Sequence, residues 1–121
     1  MSAAKTLGEY SKEYATKAQA YEALAMAAAK TEADHKHAKA RHMVTTRMTD
    51  PKVAQSWAET LADADEEVAT LHRLRLESAA VADAARAKLA QLREAVAVGR
   101  SFLVAEREAD KLSAAGLGGA A

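Results

Sequence analysis

The sequence predicts an all-α protein in which two long helices fold back on each other as an antiparallel, coiled-coil-like hairpin with a short helix at the corner. Three observations predict this fold class. Alanine, the best intrinsic helix former, accounts for 33 of the 121 residues. Pro51 is the only proline, and no glycine lies between Gly8 and Gly99. Because proline and glycine are the residues least compatible with a helix interior, we expect one main break near Pro51 and helix on either side of it.

The first helix is expected at about residues 6–47. Thr6 and Glu9 form the pattern of a capping box, in which each side chain accepts a hydrogen bond from the backbone N–H of the other residue. Residues that recur every seven positions, with others between them, define a narrow stripe of coiled-coil type. This stripe consists of Leu7, Tyr10, Tyr14, Tyr21, Leu24, Ala25, Ala28, Thr31, His35, Ala38 and His42.

A short corner helix is expected at about residues 51–62. Asp50 suits the N-cap, and Pro51 suits the first helical position, where its missing N–H is not needed. Three apolar residues of this helix share one face and are expected to pack the corner onto the long helices. They are Val53, Trp57 and Leu61.

The last long helix is expected at about residues 64–113. Asp63, with Glu66 three residues later, repeats the capping pattern and favours a second break between helices near residue 63. The alternative is a single helix that continues from the corner. Gly99 interrupts the helix at a cost of about 1 kcal/mol relative to alanine, which indicates a local kink or a close helix contact. Residues 114–121 contain three glycines and no periodicity, so we expect a flexible tail. The apolar stripe of this helix consists of Val68, Leu71, Ser78, Val81, Ala82, Ala85, Leu89, Leu92, Val96 and Leu103.

Residues 1–113 are expected to form a single helical hairpin domain. An alanine side chain is one methyl group, and each buried CH₂ contributes about 0.8 kcal/mol, so a lone hairpin of this composition gains little from burial. We therefore expect a homo-oligomer, with a dimer favoured, that assembles into a helical bundle. The residues expected at the interface with a second copy or with a protein partner are Tyr10, Tyr14, Tyr21, Leu24, Leu89, Leu92, Val96, Phe102 and Leu103.

Charge and composition exclude several classes of function. Seventeen Lys and Arg residues balance 17 Asp and Glu residues, unlike an acidic DNA mimic or a basic nucleic-acid coat. The chain has no cysteine, and therefore neither a disulfide framework nor a thiolate metal site. Its apolar runs are short and rich in alanine, and its N-terminus does not resemble a signal peptide. We expect a cytoplasmic protein with no membrane association.

The histidines are the candidate metal ligands. His35 and His37 diverge by about 200° around a helix axis, and no pair of histidines has the i, i+4 spacing of a helical zinc motif. If the turn is centred near residue 56, His42 and His72 lie across the hairpin from each other, and a metal site at that pair is the alternative. The favoured expectation is partly exposed polar residues, no metal and no cofactor.

Basic residues cluster between residues 30 and 47, whereas the segment from Glu59 to Glu67 is acidic. Cations near a helix C-terminus and carboxylates near a helix N-terminus both complement the helix dipole, and a hairpin brings the two groups together, which is the favoured interpretation. No aromatic residues lie among these cations to stack on bases, so nucleic acid is the less favoured partner. The residues that would contact phosphates in that alternative are Lys36, Lys39, Arg41 and Arg47, with Arg73 and Arg75 as further contributors.

The sequence contains no arrangement typical of an active site. It has no nucleophile beside a base and no glycine-rich phosphate loop, and its paired carboxylates are expected on solvated helix surfaces. We therefore expect no enzymatic activity.

Two segments within residues 49–107 carry a resemblance to a known class of proteins. They are Asp65-Glu66-Glu67-Val68, at the step into a long helix, and Val98-Gly99-Arg100-Ser101-Phe102-Leu103-Val104-Ala105-Glu106-Arg107. Together they resemble small helical proteins of tailed bacteriophages, which are often encoded near single-strand annealing and single-strand-binding proteins. The resemblance implies a phage accessory protein that serves DNA recombination or replication in the cytoplasm of the host cell.

These observations favour a non-enzymatic helical interaction protein that self-associates and binds a protein partner. Two alternatives remain open from the sequence. One is a nucleic-acid-binding protein that uses the basic segment 30–47, and the other is a structural or scaffolding protein whose role is assembly.

Overall fold

A computed structural model of the protein describes residues 6–119, with side chains described as far as Ala115. Within this range the chain forms three α-helices and no strand: α1 at Leu7–Thr49, α2 at Gln55–Ala64 and α3 at Glu66–Gly119. The prediction of an all-α protein is confirmed.

The start of α1 has the predicted capping box. The backbone N–H of Glu9 donates to Thr6 Oγ1 over 3.1 Å, and the backbone N–H of Thr6 donates to Glu9 Oε2 over 3.0 Å. The helix continues two residues beyond the predicted end, to Thr49. It ends before Asp50 because the residue that precedes a proline is disfavoured in helical conformation.

The prediction that Asp50 caps a helix beginning at Pro51 is wrong. Asp50 instead closes a turn, because its Oδ1 accepts from the N–H of Lys52 over 3.2 Å and its carbonyl accepts from the N–H of Val53 over 3.1 Å. An aspartate side chain that bonds to the backbone two residues on stabilises a turn as readily as a helix start. The corner helix α2 therefore begins four residues later than predicted, after Ala54, which makes no side-chain cap.

The second break lies at Asp65 and not at Asp63. Asp65 has an extended backbone, its N–H donates to the carbonyl of Ala62 over 3.1 Å, and its Oδ2 accepts from the N–H of Val68 over 3.2 Å. One residue thus ends α2 and caps α3. The Asp63 carboxylate is occupied elsewhere, in an ion pair with Lys39.

The helix α3 continues beyond its predicted end. It runs through Gly99 and through residues 114–119, which were expected to be flexible, while residues 120 and 121 of the predicted tail lie outside the described residues. No proline follows Ser113, and adding residues to an existing helix needs no new nucleus, so the glycines do not stop it.

The chain divides into two compact units. Of the described residues, unit 1 combines 6–19 with 86–119, and unit 2 comprises 20–85. In the described part of unit 1, Leu92 is the buried apolar residue. The buried residues of unit 2 come from all three helices and are His35, Ala38, Ala58, Ala62, Val68 and Ala82.

The predicted stripes face the interior of their units with two exceptions. Every predicted stripe residue of α1 is buried or half-buried. On α3, Val81 and Leu103 are exposed. Val81 is out of step with the seven-residue repeat that its buried neighbour Ala82 follows, and Leu103 lies beyond Gly99, which approaches Leu7 at the first position of α1.

The expectation that Trp57 packs the corner is wrong. Its side chain is 55% exposed, with Val53 and Leu61 half-buried, whereas Ala58 and Ala62 are completely buried. Alanine allows the closest approach of helix backbones, so α2 packs through its smallest side chains and leaves its largest at the surface.

Candidate functional site

The basic segment of α1 is paired with acidic and amide side chains. Lys39 lies 3.0 Å from Asp63, and Arg41 Nη2 lies 3.5 Å from Glu67 Oε1, so two of its cations meet the acidic segment as the favoured interpretation expected. The other candidate phosphate contacts are Lys36, which lies 3.1 Å from Glu32, and Arg47, whose Nη1 donates to Gln55 Oε1 over 2.9 Å.

These pairs are mostly at the surface. The hydrogen bond and the charge of Lys36, followed by the charge of Arg75, hold the pKa of Glu32 below its ordinary value. Arg73 lies 3.9 Å from Glu77, one turn further along α3, and both side chains are well exposed. Exposed ion pairs contribute about 0 to 1 kcal/mol each, so these contacts neutralise charge more than they stabilise the fold.

The predicted juxtaposition of His42 and His72 is wrong. His72 instead lies beside His35, with ring centroids 4.9 Å apart and ring planes inclined by 42°. His42 Nε2 lies 3.6 Å from Asp65 Oδ1, and its Nδ1 lies 3.4 Å from Thr46 Oγ1. The prediction placed the turn centre near residue 56, whereas the chain turns at residues 50–54, so His72 meets a residue one heptad earlier on α1.

His35 is the one buried polar residue of the described chain. It is 7% exposed, and its Nδ1 is buried with no hydrogen-bond partner among the described residues. Burial lowers the pKa of His35, and the positive charges of Arg75, His72 and Lys39 lower it further, with Asp63 acting in the opposite direction. These effects favour the neutral form of the ring.

A cleft of about 490 Å³ opens beside this histidine pair in unit 2. Among the described residues, no group of three or more His, Asp or Glu side chains is placed to hold a metal ion. Sequence reasoning found neither the contact between His35 and His72 nor the place of Arg75, since both depend on where the corner lies. The residues lining the cleft are His35, Lys39, Asp63, Val68, Ala69, His72 and Arg75.

Most of the predicted interface residues pack within their own unit. Leu92 is buried, and six others are half-buried: Tyr10, Tyr14, Tyr21, Leu24, Leu89 and Val96. In unit 1, Arg93 Nη2 donates to the Tyr14 hydroxyl over 3.3 Å, which raises the pKa of Arg93. Only Phe102 and Leu103 of the predicted set are exposed.

An apolar groove of about 650 Å³ lies in unit 1. Leu7 and Tyr10 of α1 line it together with Val98, Phe102 and Leu103 of α3. The same region holds the closest approach at a glycine: a Cβ placed on Gly99 would lie 3.2 Å from Leu7 Cδ1. The close helix contact expected at this glycine is therefore present, and α3 runs through the position without a break.

Every residue from Arg100 to Ala115 is exposed, including Phe102 and Leu103 at the groove. Residues 98, 102, 105, 109 and 112 follow the alternating spacing of four and three that places side chains on one helix face. Sequence reasoning named Phe102 as an interface residue but did not follow its helix face to Val98 and Leu112, because the stripe predicted for α3 lies on another face and ends at Leu103. We name the face that carries Phe102 the α3 stripe, and its members are Val98, Phe102, Ala105, Ala109 and Leu112.

Comparisons with known proteins identify no relative. The chain matches no family model, no curated protein and no solved structure. In the described part of the chain, none of the helices combines the length and the apolar character needed to cross a lipid bilayer.

Proposed function

We propose that this chain is a non-enzymatic interaction protein that folds as an antiparallel helical hairpin, self-associates and binds a protein partner. The observation that carries the proposal is the α3 stripe, an apolar helix face that the rest of the described chain leaves uncovered. Val98, Phe102 and Leu112 on this face are 67%, 64% and 73% exposed.

The order of contacts supports the antiparallel arrangement. Within each unit, residues later in α1 meet residues earlier in α3. In unit 2, His42 lies beside Asp65 and His35 beside His72; in unit 1, Tyr14 lies beside Arg93 and Leu7 beside Gly99.

The energetics favour a second copy as one occupant of the α3 stripe. Fully burying a Val, Leu or Phe side chain contributes about 1.5–3 kcal/mol, so covering these three largely exposed residues is worth roughly 4 kcal/mol per chain. Association costs an estimated 4–15 kcal/mol, which one stripe alone barely offsets. Two copies that cover each other's stripes double the gain. The groove lined by Leu7 and Tyr10 extends the same apolar surface.

Light scattering at micromolar concentration tests self-association. We expect the wild-type chain to have the mass of a dimer, and Phe102→Ser/Leu112→Ser to shift it to the mass of a monomer. The matched control is Leu76→Ser/Val81→Ser, which changes two apolar residues of α3 in unit 2 that are about half exposed (53% and 51%). A wild-type monomer that melts cooperatively refutes self-association, and equal loss in both double variants removes the role of the stripe.

A partner protein is tested by affinity capture from the native host, with the wild-type chain compared against both double variants. A protein retained by the wild type and the control, but not by Phe102→Ser/Leu112→Ser, supports the proposal. The phage resemblance suggests a DNA-processing factor as that protein. An assembly-only role predicts that the chain retains nothing but itself.

Direct nucleic-acid binding has less support, because the four basic candidates are already paired. Replacing Lys36, Lys39 and Arg41 together with glutamine should lower stability modestly and leave any nucleic-acid affinity nearly unchanged. If those residues contact phosphates, the change should instead flatten the salt dependence by about three contacts, each contributing roughly 0.7–0.9 to the slope. A submicromolar, salt-sensitive affinity for DNA near physiological salt would replace the interaction-protein proposal.

A further inference from the structure

The cleft beside His35 and His72 is rich in hydrogen-bond donors. Lys39 on α1 and Arg75 on α3 carry three and five N–H groups, and both side chains line the cleft. The carboxylate that lines it is Asp63, 3.0 Å from Lys39. Two other carboxylates, Glu32 and Asp83, line a neighbouring cleft with Arg75. Glu32 is hydrogen-bonded by Lys36 and interacts with Arg75 through its charge. Two cations line the cleft. Lys39 is paired with Asp63, whereas the guanidinium of Arg75 makes no ion pair with a described residue.

His35 supplies an independent observation. Its ring is more than nine-tenths buried, it lines the cleft, and its Nδ1 lacks a hydrogen-bond partner in the described part of the chain. Leaving a buried polar group unsatisfied costs about 1–3 kcal/mol, so such groups usually indicate a ligand or a bound water. The charges that act on this ring come from Arg75, His72 and Lys39, with Asp63 opposing them, and the cationic side chains favour an anionic ligand in the cleft.

We propose that this cleft binds a small tetrahedral oxyanion, with inorganic phosphate as the simplest example. Arg75 binds it through the paired N–H groups that match oxyanion geometry, and Lys39 adds a point charge. The imidazoles of His72, which is exposed, and His35, which is buried, supply further N–H donors at the cleft. A metal cation is disfavoured at the same place because Lys39 and Arg75 would repel it.

Anion binding is coupled to proton uptake by His35. Arg75, His72 and Lys39 oppose protonation of His35, while Asp63 favours it. A bound oxyanion cancels part of this positive field, so the imidazole of His35 takes up a proton more readily when the cleft is occupied. Affinity should therefore increase several-fold between pH 8 and pH 6.

The test is a titration of the full chain with sodium phosphate at constant ionic strength, with chloride as the replaced anion and imidazole C–H resonances followed by NMR. We expect saturable shifts at His35 and His72, with the exposed His37 unaffected. Repeating the titration with sulfate at pH 6 and pH 8 isolates the histidine contribution, since the charge of sulfate is constant over this range. Phosphate should also raise the thermal midpoint above that in chloride.

Two substitutions on one helix separate the site from general charge. Arg75→Gln should weaken phosphate binding at least tenfold, whereas Arg73→Gln, two residues earlier and paired with Glu77, should leave it unchanged. Arg75→Lys keeps the charge without the paired donors and should retain part of the affinity, which also controls for folding. Non-saturating shifts, equal losses in Arg73→Gln and Arg75→Gln, or binding to duplex DNA with none to inorganic phosphate would each overturn the proposal.

Discussion

Shortening Val68 to alanine probes the packing of unit 2 more directly than any other change. Among the described residues, Val68 is the largest fully buried side chain, with 2% of its surface exposed. Removing two methyl groups at about 0.8 kcal/mol each loses about 1.6 kcal/mol of burial, and incomplete collapse of the cavity adds to this loss. Alanine returns roughly 0.5 kcal/mol through its higher helix propensity. We expect Val68→Ala to lower the free energy of unfolding by about 1–2 kcal/mol.

Val81 on the same helix is the matched control. It is 51% exposed, so the same two methyl groups lose about 0.8 kcal/mol of burial, which the gain in propensity nearly cancels. Denaturant unfolding followed by circular dichroism at 222 nm, at one protein concentration for all variants, measures both changes. Val68→Ala should shift the transition clearly and Val81→Ala should not. Equal shifts, or a larger one for Val81→Ala, would refute the packing described for α3.

Three further perturbations test separate features. Gly99→Ala should raise the thermal midpoint, because alanine gains up to about 1 kcal/mol of helix propensity. The added methyl group meets the flexible end of the Leu7 side chain, which can move aside. A lower midpoint would mean that the two helices cannot separate at this position. Asp65→Ala should lower the free energy of unfolding in urea by about 1–2 kcal/mol, since it removes the N-cap of α3 and the partner of His42. Asp65→Asn should recover most of this loss, because asparagine also caps helices. No recovery would argue against the capping role of Asp65. Because the pKa of His35 is lowered in the folded state, its contribution to the free energy of unfolding is complete above the unfolded pKa of about 6.5 and declines as pH falls towards the folded pKa. His35→Leu should flatten the pH dependence of the free energy of unfolding between pH 8 and pH 5. An unchanged slope would contradict the lowered pKa.

The parts of the fold that the sequence predicts correctly are those decided locally. The capping box of Thr6 and Glu9 needs only residues three apart, and the stripe of α1 needs only its own seven-residue period. Both are present in the structure. The local sequence does not decide the structure at Asp50, because an aspartate before a proline starts a turn as readily as a helix.

That ambiguity has consequences far from Asp50. Moving the turn by a few residues changes which residue of α1 faces each residue of α3, and the partner of His72 becomes His35 in place of His42. The donor-rich cleft follows from this register, so no inspection of single motifs could have located it. The predicted pairing of the basic segment with the acidic segment is still found after this change of register, because it depends on groups of like charge and not on individual partners.

In α2 the smallest side chains contribute more to the packing of the helix than the largest one. Ala58 and Ala62 have no exposed surface, while Trp57 between the turn and these residues stands mostly in solvent. Their methyl groups act as spacers of fixed thickness, and any larger side chain at either position would hold α2 away from its neighbours. The corner of this protein should therefore tolerate the loss of its bulkiest residue and resist the enlargement of its smallest ones.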